Sequence, residues 1–199
     1  MSRKIEVEVF TFAELSDVAK ERTRGWFRQG IQFDVNDTIE CTIVDAAKLL
    51  GITIDRPRGR RTGYAIDWNT NPVGAAFVGS WHASDVKPGA LVKEVPRDAT
   101  LAVIARDLEA VAAEFPDAYA NCDTGRGCFQ RVEAYMEAGE DSDDCGDDVA
   151  QLVVDSLTSF AHWMATTIAA EYEYQYSDEC VDESIEANGY EFTATGEVY

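Results

Sequence analysis

Between Arg131 and Tyr199 the chain contains no lysine or arginine. All 17 basic residues lie at or before Arg131, together with 19 of the 37 acids, so residues 1–131 carry a net charge of only −2. Residues 132–199 hold the other 18 acids and supply −18 of the −20 carried by the whole chain. That excess repels polyanions, so no direct contact with nucleic acid is expected. Long apolar runs are also missing. No stretch approaches the ~20 residues needed to cross a bilayer, which excludes a spanning helix and gives no reason to expect a membrane partner. The first ten residues, Met1 to Phe10, alternate charged with apolar side chains, so they predict a strand and lack the apolar centre of a secretory leader. Cysteine is sparse. Cys41, Cys122, Cys128, Cys145 and Cys180 are odd in number and contain no CxxC pair, which argues against a disulfide framework or zinc ribbon and for a reducing, cytoplasmic setting. Histidine is sparser still, with His82 and His162 alone.

At 199 residues the chain suffices for one sizeable core, or at most two small ones. Hydrophobic periodicity predicts a single α+β domain over 1–199, a small mixed or antiparallel sheet packed against several helices. Ile5, Val7 and Val9 alternate as a strand, and Thr11-Phe-Ala-Glu14 is a capping-box pattern opening a helix that carries Leu15, Val18, Ala19, Arg22 and Trp26. Ile39, Ile43, Ala46, Ala47 and Leu50 mark a second helix ended by Gly51. Strands are predicted at Ile52–Asp55, Tyr64–Trp68 and Ala75–Trp81, with Pro72-Val-Gly74 turning between the last two. A further helix runs from Asp98 to Phe115, carries Leu101, Ile104, Leu108 and Val111, and stops at Pro116. Residues Phe129–Met136 fit either a strand or a helix.

The acidic third has its own pattern. Val149, Leu152, Val153, Leu157, Phe160, Met164, Thr167 and Ile168 recur at three- and four-residue steps, one face of a long amphipathic helix widened by Trp163 and Tyr172. Before it, Glu140 to Asp148 reads as an acid-rich loop whose Asp147 and Asp148 favour the helix N-terminus. Ser177 caps a short helix, Asp178–Ala187, closed by Asn188-Gly189, and Tyr190–Thr195 has strand composition. At 100° per residue Asp178, Glu179, Asp182, Glu183 and Glu186 fall in one arc of about 140°. Like charges four residues apart destabilise a helix, and no lysine is interleaved among them. Their spacing of about 6 Å resembles phosphates along a nucleic-acid strand. Tyr172, Tyr174 and Tyr176 supply aromatic anchors beside them. The competing readings are a solvated face and, less well matched to the neutral first two thirds, adaptation to high salt.

Catalytic and metal patterns fail on inspection. His162 sits beside Trp163 on the long helix, where a packed or snorkelling ring is expected. His82 follows the strand ending at Trp81, in a loop, with no nucleophile pattern near it. Asp141-Ser-Asp143-Asp-Cys145-Gly146 begins like a calcium loop, but Cys145 stands at position five and Leu152 at position twelve, where oxygen ligands belong. Asp123-Thr-Gly125 lacks the apolar lead of an aspartic-protease motif, and Cys122 and Cys128 are six apart, which fits no metal knuckle. No metal site and no cofactor are therefore expected. The one basic cluster, Arg56-Pro-Arg58-Gly-Arg60-Arg61, has the chemistry to clamp a phosphate but reads as an exposed turn offsetting the acidic third.

Three stretches carry a resemblance. They are Phe12-Ala-Glu-Leu-Ser-Asp-Val-Ala-Lys-Glu-Arg22, Ile66-Asp-Trp-Asn-Thr-Asn-Pro-Val-Gly-Ala-Ala-Phe-Val-Gly79, and Glu171-Tyr-Glu-Tyr through Ser177-Asp-Glu to Ala187-Asn-Gly-Tyr-Glu-Phe192. Together they resemble a family of phage and prophage proteins loosely labelled as antitoxins of toxin–antitoxin systems. The resemblance implies a mobile-element origin and brings no catalytic residues. The expectation is a non-enzymatic inhibitor of a host or rival protein with a basic, nucleic-acid-binding surface, of the anti-CRISPR or anti-restriction type. Its contacts would be Asp178, Glu179, Asp182, Glu183 and Glu186, the tyrosines, and a second patch at Asp143, Asp144, Asp147 and Asp148. Lysine at Asp182 and Glu183 should then abolish binding. An antitoxin for a basic toxin is the alternative, and a divalent-metal enzyme using the second patch is the alternative from another class.

Overall fold

The computed structural model describes residues 8–33, 35, 37–55, 63–70, 73–94, 97–124, 130–135 and 146–199. In chain order a 3-10 turn (Phe12–Glu14) precedes α1 (Asp17–Gly30), α2 (Asp37–Leu49), β1 (Leu50–Ile54), β2 (Tyr64–Asp67), β3 (Gly74–Phe77), β4 (Gly79–Val86), α3 (Ala90–Glu94), α4 (Ala99–Glu114), β5 (Tyr119–Thr124), β6 (Gln130–Tyr135), α5 (Gly146–Gln175) and α6 (Asp178–Asn188). The class is the α+β expected, with antiparallel sheets, several helices and one long C-terminal helix. By its internal contacts the chain forms two compact units, one from residues 36–169 and one from 1–35 with 170–199.

In the larger unit β1, β4, β5 and β6 form an antiparallel sheet in that order, and β2 pairs with β3 in a separate hairpin. Sheet alternation puts Ile52, Trp81, Ala83, Ala120 and Cys122 on the buried face and leaves His82 and Asn121 exposed between them. Trp81 is fully buried, pairs with Ile52 and Ala120, and donates its indole N–H to the Leu50 carbonyl at 2.9 Å. Leu101, Ile104, Leu108 and Val111 form the buried stripe of α4, as their spacing predicts. On α5 the buried stripe is Val153, Leu157, Phe160, Met164 and Ile168, with the Phe160 ring 5.7 Å from Phe77 and perpendicular to it. Each such side chain contributes roughly 1.5–3 kcal/mol by leaving water. Leu152, expected in the stripe, is an exposed exception. Asp98 ties α4 to α5: one oxygen caps Leu101 N–H at 2.9 Å and the other accepts the Trp163 indole at 2.8 Å. Among the described residues no helix is long and apolar enough to cross a membrane.

Several boundaries depart from the periodicity. The strand expected over Ala75–Trp81 is two strands, because the chain changes partners at Val78. Ala75 to Phe77 pair with β2, whereas Gly79 to Trp81 pair with β1. Val78 itself bonds Gly63 and Asp55 through its backbone. Residues Gln130–Tyr135 resolve as strand. β5 (Tyr-Ala-Asn-Cys-Asp-Thr) has weak strand propensity but lies between β4 and β6, where neighbours on both sides decide its conformation.

In the smaller unit the Thr11 N–H and hydroxyl both donate to the Glu14 carboxylate at 2.8 Å. These bonds, the backbone one foremost, hold the Glu14 carboxyl below its ordinary pKa. The box closes a 3-10 turn and does not open the helix: Leu15 is extended, and Ser16 caps α1 afresh through Ala19 N–H. Val18 consequently points outward, 79% exposed, instead of joining the core stripe. Phe12, Leu15, Ala19, Val181, Ile185 and Phe192 make the core of this unit. The expected strand over Tyr190–Thr195 reduces to single bridges from Phe192 to Phe10 and Val198. A turn at Gly196, φ +82°, brings its carbonyl to the buried Thr23 hydroxyl at 3.1 Å.

Candidate acidic interface on the last helix

α6 begins and ends as its sequence predicts. The Ser177 hydroxyl oxygen accepts from Cys180 N–H at 3.2 Å, Asp178 and Glu179 occupy the first turn, and Gly189 closes the helix in the left-handed region at φ +64°. Val181 and Ile185 are buried, which turns the acidic arc away from the core.

The arc is not uniform, and the expectation of five carboxylates without a cationic partner is corrected. Arg24 of α1 donates Nε to Asp182 Oδ1 and Nη2 to Asp182 Oδ2, each at 2.7 Å, in the two-pronged geometry that suits a guanidinium. Arg24 Nη1 lies 3.6 Å from Asp178 and 3.3 Å from Glu21. Arg28, one turn along, bonds Asp178 and donates to the Tyr176 carbonyl at 3.0 Å. These contacts raise the Arg24 pKa, the Asp182 hydrogen bond most, with burial opposing. The cause is register. Arginines four apart on α1 face aspartates four apart on α6, so each ladder matches one helical turn. The signal lay in the two i,i+4 pairs, Arg24/Arg28 and Asp178/Asp182, and only the fold brings them together.

Glu179, Glu183 and Glu186 remain. They occupy the outer 60° or so of the arc, are exposed, and make no ion pair among the described residues. Tyr174, half exposed, lies within electrostatic reach of Glu179 and Glu183. Its phenol pKa is raised first by Cys180, then by Glu183, with smaller contributions from burial, Glu179 and Glu171. The tyrosines expected as anchors separate, because a two-residue step turns a helix by about 200°. Tyr172 and Tyr176 stack on each other at 4.6 Å, Tyr172 meets Phe33 at 5.1 Å, and the Tyr176 hydroxyl donates to the Ile31 carbonyl at 3.2 Å. Of the three, Tyr174 at 50% exposure is the most open to a partner, with Tyr172 at 37%.

In the other unit Asp147 and Asp148 are exposed in the first turn of α5, as expected. Asp143, Asp144, the rest of the calcium-like stretch before Gly146 and the Arg56–Arg61 cluster lie outside the described residues. Among the described residues no group of three or more His, Cys, Asp or Glu side chains is placed to hold a metal. His82 lies inside β4 and not in a loop, exposed, with its ring stacked 6.1 Å from Tyr119. His162 is exposed and not packed, since Trp163 turns inward and takes the core position beside it. Burial pushes the Cys122 thiol up to about 12, so it is no nucleophile.

A family model matches residues 36–178, described as a domain of unknown function (DUF8835). No curated protein and no solved structure matches the chain. The family match covers the larger unit and ends at Asp178, so α1 and nearly all of α6 lie outside it.

Proposed function

The chain belongs to this DUF8835 family, and within it we propose a non-enzymatic binding protein whose acidic C-terminal third engages a protein with a basic, nucleic-acid-binding surface. The observation that carries the reading is the division of the α6 arc. Two aspartates are committed to Arg24 and Arg28, while Glu179, Glu183 and Glu186 stay exposed and unneutralised beside Tyr174. Three carboxylates along one edge, in a third of the chain that holds no base, attract a row of lysines or arginines. Tyr174 adds an amphipathic ring whose hydroxyl end suits a wet interface rim. With the mobile-element origin that the resemblance implies, charge mimicry of this kind would suit a nucleic-acid-binding defence protein of a host, which would make the chain an anti-CRISPR or anti-restriction inhibitor. Asp147 and Asp148 are a separate acidic patch with the same chemistry.

The division also changes the test. Lysine at Asp182 would break the Arg24 pair and disturb the unit, so its effect on binding would be ambiguous. Glu179→Gln, Glu183→Gln and Glu186→Gln together remove three charges and leave every described ion pair intact. The combined variant should keep the melting temperature of the unaltered protein and lose partner binding, and the unaltered protein's binding should weaken as salt rises. A small basic toxin as the captured partner would identify the antitoxin form. Stoichiometric divalent metal with loss of activity on Asp147→Asn would replace this reading with the enzymatic one.

A further inference from the structure

A second feature of the smaller unit lies at the far ends of α1 and α6. Trp26, Phe27, Gln29, Gly30, Ile31, Asn188 and Tyr190 line a cavity of about 450 Å³. Three of these are aromatic and meet at steep angles. The Trp26 and Tyr190 rings are 5.4 Å apart at 89°, Trp26 and Phe27 6.1 Å at 63°, and Phe27 and Tyr190 6.4 Å at 65°. Buried Phe192 backs them, 6.3 Å from Trp26. Trp26 remains 41% exposed, so core burial does not account for its full surface.

We infer that this cavity binds a methylated ammonium group. Rings set at steep angles to one another make a concave corner, and a cation within about 6 Å of their centroids is attracted by their electron-rich faces. The field has the same sign. Gly30 and Asn188, the last residues of α1 and α6, both line the cavity. Neither last turn offers a free cation to compete for it. α6 has no base in its last turn, and Arg28 in the last turn of α1 is bonded to Asp178 and the Tyr176 carbonyl. The unit as a whole holds 15 acids and 6 bases, a net of −9. Methylation follows from the lining, which contains no carboxylate. An ammonium with N–H donors would give up water for neutral acceptors only, the Gln29 and Asn188 amides and the Tyr190 hydroxyl, whereas a methylated one has few or no donors to satisfy. A guanidinium is disfavoured because its plane wants a parallel ring.

The site is independent of Glu179, Glu183 and Glu186, so either reading stands if the other fails. The test follows the Trp26 indole N–H resonance during titration with choline, with its neutral isostere 3,3-dimethylbutan-1-ol, and with a trimethyllysine peptide. The expected result is a saturable shift with a cation that is at least tenfold weaker with the alcohol, and at least tenfold weaker choline binding in Trp26→Ala. Tighter binding of the peptide assigns the ligand to a modified protein side chain, and tighter or equal binding of choline to a small amine. No saturable shift with either cation, or equal binding of the neutral isostere, overturns the inference. The isostere comparison uses the unaltered protein and decides even where Trp26→Ala does not fold.

Discussion

Arg24 and Asp182 face each other across α1 and α6 through two parallel hydrogen bonds of 2.7 Å, with only 18% and 29% of their side chains exposed. An ion pair this sheltered is screened less than a surface pair, and losing one partner strands the other charge. Asp182→Asn or Arg24→Met should therefore destabilise the protein by about 1–3 kcal/mol. A double-mutant cycle read by urea unfolding should return a coupling of the same order. Coupling indistinguishable from zero would mean that the apolar core alone joins the two helices.

Gly196 is held at φ +82°, and a Cβ there would lie 2.4 Å from the Ala19 carbonyl oxygen and 2.9 Å from the Thr23 hydroxyl. Both the backbone conformation and the space exclude a side chain. Gly196→Ala should cost about 2 kcal/mol or more and release the C-terminal turn from α1. Amide exchange at Thr193 to Tyr199 checks this, since those amides should lose protection before the helices do.

Asp98 serves two elements with one carboxylate, capping α4 and receiving the Trp163 indole. Asp98→Ala removes both contacts, leaves the indole N–H without its acceptor, and should cost about 2–3 kcal/mol. Asp98→Asn retains an oxygen for the cap and should cost less, measured by thermal unfolding of the three proteins side by side.

Cys122 gives the protein an alkaline liability. Burial raises its thiol from 9.0 to about 12, so the folded chain keeps the proton after the unfolded chain has lost it. A raised pKa means that this contribution to stability is full below pH 9 and is lost as pH rises from 9 to 12. At pH 10.5 the loss amounts to roughly 2 kcal/mol. In Cys122→Ala the fall in unfolding free energy between pH 8.5 and 10.5 should be shallower by about that amount.

Helix α4, the caps of α6 and the class of the fold were legible because each rests on local information: Asp98 before a clean stripe, Ser177 before an acidic first turn, Gly189 after the last. What escaped was set by neighbours distant in sequence. Val78 ends a strand because its backbone bonds Gly63 and Asp55, and β5 is a strand because it lies between two others. The candidate interface divides the same way. The acidic arc of α6 follows from its residues alone, but the commitment of Asp178 and Asp182 depends on arginines some 150 positions away. Tyr174 is the most exposed of the three tyrosines because Phe33 receives Tyr172 and the Ile31 carbonyl receives Tyr176.

The central claim is that Glu179, Glu183 and Glu186 attract a basic partner. The most direct measurement captures proteins from the lysate of a proposed host on two baits in parallel, the unaltered chain and the triple Glu→Gln variant, each at low and high salt. The account predicts one nucleic-acid-binding protein held by the unaltered bait at low salt, displaced by DNA or RNA and absent from the variant. Equal recovery of that protein on the neutralised variant, or nothing specific on either bait, would contradict it.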